Sequence, residues 1–558
     1  MKKRFLKKVI VTALACSFSA TAFASTSSFA PQMPLGNFSQ PPQMNGQHQP
    51  PNPEQDIKNI LADLVKDGTI TQDQADTIAR TFNNKMMAHK PGGEQQEDKM
   101  GQPPQMNGHH QPPNLEKDIK NMLTDLVKDD IITQDQADTI AKTFKNKMMA
   151  HKPGGEQQAV KTATSGAYTQ KGKNITQNKQ IYNAAKQNQS AIKVTDGGKL
   201  TIVQSTINKT GNSTSEEDSN FYGLNAGILA ESTAKIDITN TKIITNAEGS
   251  NAIFATGKNT VINLSNVKID TTASSSRGLD ATLTGTVNAT NVDITTQGPH
   301  SAALATDRGN GTINVTGGTM QTAGEGSPGI YSTGDIHVSD AILTATDSEA
   351  AVVEGKNIIT LNNTTLSGAK KQGVMLYQSF SGDAEVGTSK FTMDGGSLTA
   401  EEGPLFYVTN TESIIQLNHA NLKQSSGILL KLSADKWGNE GANGATVNFN
   451  TQNQLLNGDI VCDSLSSAQL NLQENSSLIG SINQENTAKS LSLVLDKTSS
   501  WNVTANSYLT ALTDADSTLS NIADNGFTIY YDAMNTDNQW LGNNTYILKD
   551  GGKLAPKN

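Results

Sequence analysis

The chain has 558 residues, with 44 lysines and arginines, 53 aspartates and glutamates, and a formal net charge of −9. Charged residues make up 17% of the chain, below the ~25% of ordinary domains, and only four of them are arginines. This acidic balance argues against nucleic acid or an anionic membrane as a partner attracted over a long range.

The first 24 residues predict a cleavable export signal. Five of the seven residues at positions 2–8 are basic, residues 9–18 are mostly apolar, and Ala22 and Ala24 give a small-x-small cleavage pattern. The apolar run is too short to remain as a membrane-spanning helix. Cys16 suggests a lipoprotein, but the residues before it make a poor lipid-attachment site. We therefore expect cleavage near Ala24, export to the periplasm, cell surface or medium, and no transmembrane segment in the mature chain.

A repeat with a period of 62 residues follows a linker rich in proline and glutamine. Residues 56–67 recur as residues 118–129, and apolar residues in both copies follow helical spacing. Thr71 and Gln74 form a capping box that begins a second helix. Each copy therefore predicts a helical hairpin. The pattern resembles short helix–turn–helix repeats of bacterial secreted proteins.

The hairpin region raises a calcium hypothesis. Asp63, Asp67 and Gly68 match the start of a calcium-binding loop. The third and twelfth loop positions, which need an oxygen ligand and a carboxylate, fall on Val65 and Gln74. A capped helical turn explains the same residues, so we expect no calcium site.

A second metal hypothesis rests on composition. Five of the eight histidines lie in this region, amid many methionines, and these two side chains suit copper. No fixed ligand spacing is visible, so a polar linker is the simpler explanation and metal binding stays an alternative. The histidines concerned are His48, His89, His109, His110 and His151.

The rest of the chain is organised around an eight-residue unit, for which residues 262–269 are typical. Its first three positions alternate apolar and polar residues, which predicts a strand with one buried face. The unit returns mostly every 23–26 residues, with a short second apolar strand between copies. Such a period is typical of a β-solenoid. The alternative, an antiparallel sandwich, is disfavoured because the units are regularly spaced.

The fifth position of the unit predicts a corner with left-handed backbone. Gly, Asn, Asp and His occupy it, and these residues tolerate positive φ better than most others. The predicted corner residues are Asn240, Asn266, Asn291, Gly317, Asp340, Asn363, Gly395 and His419. In the same register, Asn263, Asn288 and Asn314 share one outward position.

The last turns carry a motif of their own. Trp501, Val503, Ser507, Leu509 and Leu512 are spaced as in the closing turns of pertactin-like autotransporter passengers, which this part of the chain resembles. These are right-handed β-helix adhesins of bacterial surfaces, and the resemblance covers roughly residues 200–550. It implies the same fold and a role in adhesion or display. The tail leaves no room for the C-terminal barrel of that class, so we expect a passenger-like protein without one.

An enzyme is the alternative function, because β-helices include polysaccharide lyases and glycoside hydrolases. A lyase needs a base beside groups that acidify the sugar carbon, and a hydrolase needs paired carboxylates. The single local cluster of ionisable residues is Arg277, Asp280, His300, Asp307 and Arg308. We expect Asp280 to face Ala303 or Leu304, not a carboxylate, in the adjoining turn. Surface salt links explain the cluster, and we assign no catalytic residue.

We therefore predict a mainly β protein, a single-stranded right-handed parallel β-helix of about twelve turns, like the pectin-lyase solenoids, preceded by two short helical hairpins. We expect an exported protein that binds a glycan or a cell-surface component without catalysis, cofactor or metal. The predicted segments are a signal peptide (1–24), a linker (25–53), hairpin 1 (54–90), a linker (91–115), hairpin 2 (116–152), a linker or cap (153–190) and the β-helix (191–558).

Overall fold

The computed structural model describes residues 164–379 and 381–557 and a set of separate residues between 61 and 140. The predicted signal peptide and the linkers at 25–53 and 91–115 lie outside the described residues. The separate residues are Leu61, Ile70, Thr71, Gln74, Ala75, Thr77, Ile78, Thr81, Leu123, Leu126, Val127, Lys128, Ile131, Ile132, Thr133, Ala137 and Ile140.

Residues from Ser165 onward form a right-handed parallel β-solenoid of about 16 turns, which confirms the predicted fold class. One side of it is a parallel sheet of twelve strands, here called the first sheet. Its strands are Ser165–Lys171, Gln189–Thr195, Ile228–Ala230, Ile253–Thr256, Leu279–Thr282, Leu304–Thr306, Ile330–Ser332, Ala351–Glu354, Val374–Tyr377, Phe406–Thr409, Ile428–Leu432 and Asp459–Cys462.

A larger second sheet of 21 strands bends at a corner, so half of its turns contribute two short strands. Three turns run through the corner as single strands of eleven residues. The strands are Asn174–Asn178, Ile181–Ala184, Lys199–Val203, Thr206–Lys209, Lys235–Thr239, Lys242–Thr245, Val261–Thr271, Thr286–Thr296, Thr312–Thr322, Asp335–Ser339, Ile342–Ala345, Ile358–Asn362, Thr365–Gly368, Ser389–Asp394, Ser397–Ala400, Glu412–Asn418, Asn421–Gln424, Thr446–Gln452, Ser467–Gln473, Ser490–Leu495 and Ala511–Asp514.

Two small sheets and two short helices complete the part of the chain from 164 to 557. The third sheet contains Leu455–Asn457, Ser477–Ile479, Ser500–Asn502 and Ile522–Ala523. The fourth contains Ser507–Leu509, Thr528–Asp532, Lys553–Lys557 and Tyr546–Ile547, and the last two of these pair antiparallel. The helices are an α-helix at Glu216–Tyr222 and a 3₁₀-helix at Thr536–Leu541.

Stacked apolar side chains hold the turns together. Ile236 lies opposite Ile262, which lies opposite Val287, and the column continues through Ile313 and Ile336. All five are fully buried. Burying each such side chain contributes about 1.5–3 kcal/mol, so the repeated apolar positions of the eight-residue unit supply the driving force for stacking.

The eight predicted corner residues all have left-handed backbone, with φ between 37° and 72°, which confirms the corner. The corner also extends to residues that the sequence did not indicate, namely Lys179 (φ 54°), Gln204 (φ 47°) and Asn453 (φ 48°). Their N–H groups donate to carbonyls of the next turn, as that of Asn240 does to Ser265. Backbone pairing with the neighbouring turn therefore fixes the conformation even where the residue does not favour it.

The row of outward asparagines is confirmed, and its amides bond to one another. Asn263 donates to Asp237 at 2.8 Å, Asn288 donates to Asn263 at 2.9 Å, and Asn314 donates to Asn288 at 2.9 Å. The side-chain amides of Asn263 and Asn288 therefore each use one donor and one acceptor to bond to the adjacent turns. These bonds stabilise the stack of turns and leave fewer amide donors and acceptors free to bind a ligand.

The solenoid begins at Ser165, before the boundary at residue 191 that the sequence suggested. Tyr168, Ile175 and Tyr182 of this first turn are only half-buried, although they pack against the core. A terminal turn has a neighbour on one side only, so it needs fewer apolar residues. The weak apolar pattern of residues 165–184 reflects that position.

The described residues before the solenoid fit the hairpin repeats. Thr71 and Gln74 form the predicted capping box, with distances of 2.9 and 3.2 Å between backbone nitrogens and side-chain oxygens. Gln74 also donates from Nε2 to the carbonyl of Ile131 at 2.8 Å, which links the two copies. Equivalent residues are buried in each copy, as the pair Ile78 and Ile140 illustrates. Among the described helices, none is long and apolar enough to cross a membrane.

The tail motif belongs to the core. Trp501 is fully buried, and its indole N–H donates to the carbonyl of Gly480 at 2.9 Å. Cys462 is buried in an earlier turn as a free cysteine, and burial raises the pKa of its thiol to about 12. Such a thiol stays protonated and unreactive in the folded protein.

Candidate functional site

The outer face of the first sheet carries the functional groups that stand out in this solenoid. Alternate residues of successive strands point away from the core and lie in register. One such row, here called the outer row, passes through Phe254, Asp280, Ala305, Tyr331, Val352, Met375 and Tyr407. The helix Glu216–Tyr222 and the loops that follow Tyr377 and Leu432 contribute further groups to this face.

A buried ionic cluster lies at the beginning of the outer face. The guanidinium of Arg277 contacts both carboxylate oxygens of Asp307, at 2.8 and 3.2 Å, and donates to Oδ1 of Asn220 at 2.5 Å. Asp280 is fully buried beside them and accepts from the amide of Asn251 at 3.3 Å. The cluster thus contains two carboxyl groups and one permanent cation in a site closed to solvent.

The environment of Asp280 favours its protonated form. Burial, followed by the negative charge of Asp307, raises the pKa of Asp280 well above its usual value, although the charge of Arg277 opposes the rise. Arg277 itself is paired with Asp307, so the cation of the cluster is already held by another carboxylate.

The helix Glu216–Tyr222 covers this cluster, and polar contacts hold it in place. Ser275 donates to the carboxylate of Glu216, and Thr282 donates to the carbonyl of Phe221 at 3.0 Å. Arg308 lies over the ring of Phe221, 4.0 Å from its centroid. We call this element the covering helix. Its contacts close the cluster against substrate-sized molecules in this conformation.

The five ionisable residues that the sequence groups into one cluster lie at three separate places in the structure. Arg277, Asp280 and Asp307 come together, whereas Arg308 pairs with Asp383 at 2.6 Å. His300 is exposed and has left-handed backbone at a turn. The expected register is wrong, because Asp280 lies opposite Ala305 and not opposite Ala303 or Leu304. The residue directly opposite is not a carboxylate, as expected, but Asp307, two residues further along the adjoining turn, is close enough for its charge to act on Asp280.

A second buried carboxylate lies further along the outer face. Glu354 accepts hydrogen bonds from the hydroxyls of Tyr331, Tyr377, Ser379 and Ser381, with distances of 2.9 Å from Tyr377 and 3.2 Å from Ser381. Burial raises its pKa, and the bonds from these hydroxyls oppose that rise. The two serines lie on the loop after Tyr377, so Glu354 ties that loop to the sheet.

Aromatic rings surround Glu354 and extend towards solvent. Tyr377 and Trp437 lie 5.1 Å apart between ring centroids, and Tyr331 and Tyr407 pack on the same apolar cluster. Tyr331, Tyr407 and Trp437 are half-buried, so part of each remains accessible. Together with Met375 these five residues form what we call the aromatic platform. It offers ring surface and hydroxyls from three strands of the first sheet and one loop.

Charged side chains border the platform on one side. Lys431 lies 5.6 Å from the ring centroid of Tyr407, and Lys436 lies 5.0 Å from that of Trp437. The hydroxyl of Tyr407 donates to Asp435 at 2.9 Å. Cations over ring faces and hydroxyls held in hydrogen bonds orient the rings, which makes the platform a preformed surface.

The sequence contains one signal for the platform. The short second strands are predicted as apolar, yet Met375, Tyr377 and Tyr407 occupy alternate positions in Val374–Tyr377 and Phe406–Thr409. Alternation places these residues outside the core. The contact between Tyr377 and Trp437, which lies in the loop after Leu432, is not indicated by the sequence pattern.

The described residues contain no group of three or more His, Cys, Asp or Glu side chains that could hold a metal ion. The histidines behind the copper hypothesis lie outside the described residues. Comparison of the chain with protein-family models, with curated proteins and with solved structures finds no match.

Proposed function

We propose that the protein is an exported β-solenoid that binds a glycan on its aromatic platform without chemical turnover. The observation that carries this proposal is the cluster of half-buried rings of Tyr331, Tyr407 and Trp437 beside Tyr377. Rigid aromatic side chains with a polar group at one end give large contact area at little entropic cost. The apolar faces of sugar rings pack on such surfaces, while hydroxyl groups around them fix orientation.

The carboxylates of the outer face support binding over catalysis. Glu354 is 2% exposed and its two oxygens accept from four hydroxyls. Asp307 and Asp383 are held by Arg277 and Arg308. An acid or base must reach the proton that it transfers, so carboxylates committed to such bonds make poor catalysts.

The cell-surface role is part of the same proposal. The basic and apolar start of the chain supports export, and the buried Trp501 and its neighbours support a pertactin-like closing segment. A solenoid presents a long row of turns on a surface, and the platform occupies the side of the first sheet. We propose display of this platform outside the cytoplasm as an adhesin-like binding protein.

Binding to a panel of oligosaccharides tests the proposal. The mature protein would be titrated with cellohexaose, chitohexaose and maltoheptaose by isothermal titration calorimetry, which needs no tryptophan reporter, and screened for retention on dextran. We expect Trp437→Ala to abolish binding and Tyr407→Ala to weaken it by about tenfold, because buried aromatic anchors contribute about 2 kcal/mol or more.

Trp540→Ala is the matched control, because this tryptophan is 40% exposed on the 3₁₀-helix near the end of the chain. It should leave glycan binding unchanged. Equal losses in both tryptophan variants, or no glycan binding by the unmodified protein, would contradict the assignment of the platform.

A polysaccharide-cleaving enzyme is the second candidate, and the adjacent carboxyl groups of Asp280 and Asp307 favour it. Cleavage would require the covering helix to move so that a sugar could reach them. Incubation with polysaccharides, followed by measurement of reducing ends and unsaturated sugars, tests this candidate. Product that disappears with Asp280→Asn or Arg308→Ala would establish catalysis and overturn the binding-only proposal.

A further inference from the structure

The charge of the solenoid is unevenly distributed along the chain. Residues 165–212 contain seven lysines and a single carboxylate, Asp196, whereas residues 459–550 contain eleven carboxylates and three lysines. Of the seven lysines, Lys193 is paired with Glu231 and Lys209 is buried. The other five are exposed. A chain with negative net charge therefore begins its solenoid with a basic surface.

Part of this basic surface is an open groove along the left-handed corner. Lys179, Lys242 and Lys268 line it together with the polar side chains of Gln204, Asn240 and Asn266. Four of these residues are consecutive corner positions, with φ of 54° at Lys179, 47° at Gln204, 50° at Asn240 and 53° at Asn266. We call this feature the corner groove.

The register of the strands brings positive charges close together in the groove. Lys242 and Lys268 are direct partners in adjacent parallel strands, so their backbones are about 4.8 Å apart. Both side chains are exposed on the same face of the sheet, and their like charges repel one another. An anionic ligand between them would remove that repulsion.

Neighbouring carboxylates neutralise only part of this charge. Asp270 contacts Lys242 at 3.4 Å, and Asp293 lies opposite Lys268 in the next turn without forming an ion pair with it. Lys179 likewise has no carboxylate partner among the described residues. The groove therefore keeps free ammonium groups beside amide side chains.

We propose that the corner groove binds an anionic polysaccharide that carries carboxylate groups. The ammonium groups of Lys179, Lys242 and Lys268 would contact the carboxylates, and the amides of Gln204, Asn240 and Asn266 would bond to sugar hydroxyls. This site lies at the corner of the second sheet and has different chemistry from the aromatic platform, so it does not depend on the function proposed for the platform.

The composition of the groove favours a polysaccharide over nucleic acid. No arginine occurs between residues 165 and 268, although arginine provides the bidentate fork that suits phosphate. Tyr168 and Tyr182 lie nearest in the sequence, but their rings pack against each other, 5.4 Å between centroids, and against the core. They are not available for stacking with bases, which supports binding of single strands in other proteins.

A charge-matched pair of triple variants tests the proposal. One carries Lys179→Gln, Lys242→Gln and Lys268→Gln. The control carries Lys356→Gln, Lys370→Gln and Lys497→Gln, which removes the same charge from exposed sites elsewhere. The full-length chain would be titrated at low ionic strength with polygalacturonate, with its fully methyl-esterified form and with single-stranded DNA. Urea unfolding would verify that both variants are folded.

We expect polygalacturonate to bind the unmodified protein, and the groove variant to bind it at least about tenfold more weakly. The control should retain most of the affinity, and added salt should weaken binding because exposed charges are screened. Trp437→Ala should have no effect. Equal weakening in the two triple variants, equal binding of the methyl ester, tighter binding of DNA, or no binding of polygalacturonate would each overturn the proposal.

Discussion

Asn363 donates from its side-chain amide to Oδ1 of Asp340 at 2.7 Å, and both residues have left-handed backbone, with φ of 44° and 54°. The two lie at the same corner position in adjacent turns. This pair of corners thus combines a backbone conformation that most residues avoid with a side-chain bond between neighbouring turns. Asparagine and aspartate suit the corner because they tolerate left-handed backbone and can form such a bond.

The first prediction concerns the corner at Asn266, whose φ is 53°. Asn266→Val should lower the free energy of unfolding by about 1–3 kcal/mol, because a β-branched side chain fits left-handed backbone poorly. Asn266→Gly should cost less, since Gly317 already occupies the same corner two turns later. Urea denaturation measures both. A valine variant as stable as the glycine variant would show that this corner carries no backbone constraint.

The second prediction separates the two carboxyl groups beneath the covering helix. Asp307→Asn leaves Arg277 as an unpaired buried charge, so we expect a loss of about 3–5 kcal/mol. Asp280→Asn replaces a neutral acid with a neutral amide of similar shape and should cost less than about 1 kcal/mol. Chemical denaturation at pH 7 gives both values. If Asp280→Asn proved as damaging as Asp307→Asn, Asp280 would have to be ionised in the folded protein.

The third prediction follows from the raised pKa of Asp280. A raised pKa in the folded state means that this residue supports folding fully below its unfolded pKa of about 4. The support is lost as pH rises towards the folded pKa, because the unfolded chain then releases the proton first. We expect stability to fall between pH 4 and neutrality in the unmodified protein, and to fall less in the Asp280→Asn variant. Parallel slopes for the two proteins would count against a protonated Asp280.

The fourth prediction concerns Asp496, near the end of the solenoid. Partial burial raises its pKa, but bonds from the N–H groups of Glu474, Thr498 and Ser499 and from the Thr498 hydroxyl prevail and lower it to about 2. The contribution of Asp496 to the free energy of unfolding is therefore present above the unfolded pKa and is lost as pH falls from about 4 to 2. We expect this contribution to be about 1 kcal/mol, because water screens a partly exposed group. Asp496→Asn should flatten the pH dependence of the free energy of unfolding in this window and lower that free energy by about 1 kcal/mol above pH 6.

The fifth prediction concerns the boundary between the hairpin repeats and the solenoid. The first strand begins at Ser165, so limited proteolysis of the mature protein should remove residues 25–158 and leave a resistant core. Mass spectrometry of the products identifies the cut sites. Resistance of the segment between residues 153 and 163, with cleavage inside the solenoid instead, would contradict this division of the chain.

The repeat unit made the second sheet and its corner predictable. An apolar side chain at each inward position and a residue tolerant of positive φ at each corner are local requirements, and the sequence meets them turn after turn. The left-handed backbone of Lys179 and Gln204 was not predicted, because hydrogen bonds to the next turn impose it. The residue types at these positions do not indicate that constraint.

The outer face of the first sheet was less predictable for a different reason. Asp280 and Asp307 meet because the register places Ala305 opposite Asp280, and the sequence pattern of such short strands does not define their register. Glu354 meets Ser379 and Ser381 through a loop, and Trp437 reaches Tyr377 from another loop. Contacts that depend on loop paths are not encoded in a periodic pattern.

The in-register stacking of the turns also bears on how the chain folds. Val261 pairs with Thr286, twenty-five residues later, and Thr286 pairs with Thr312. Every pairing of this kind spans about one turn, however many turns the solenoid has. The mean sequence separation of contacts is therefore small relative to chain length, unlike that of most all-β folds, and such a topology favours rapid folding. Once a few turns have formed, each further turn adds to an existing edge, so the solenoid can grow from one end.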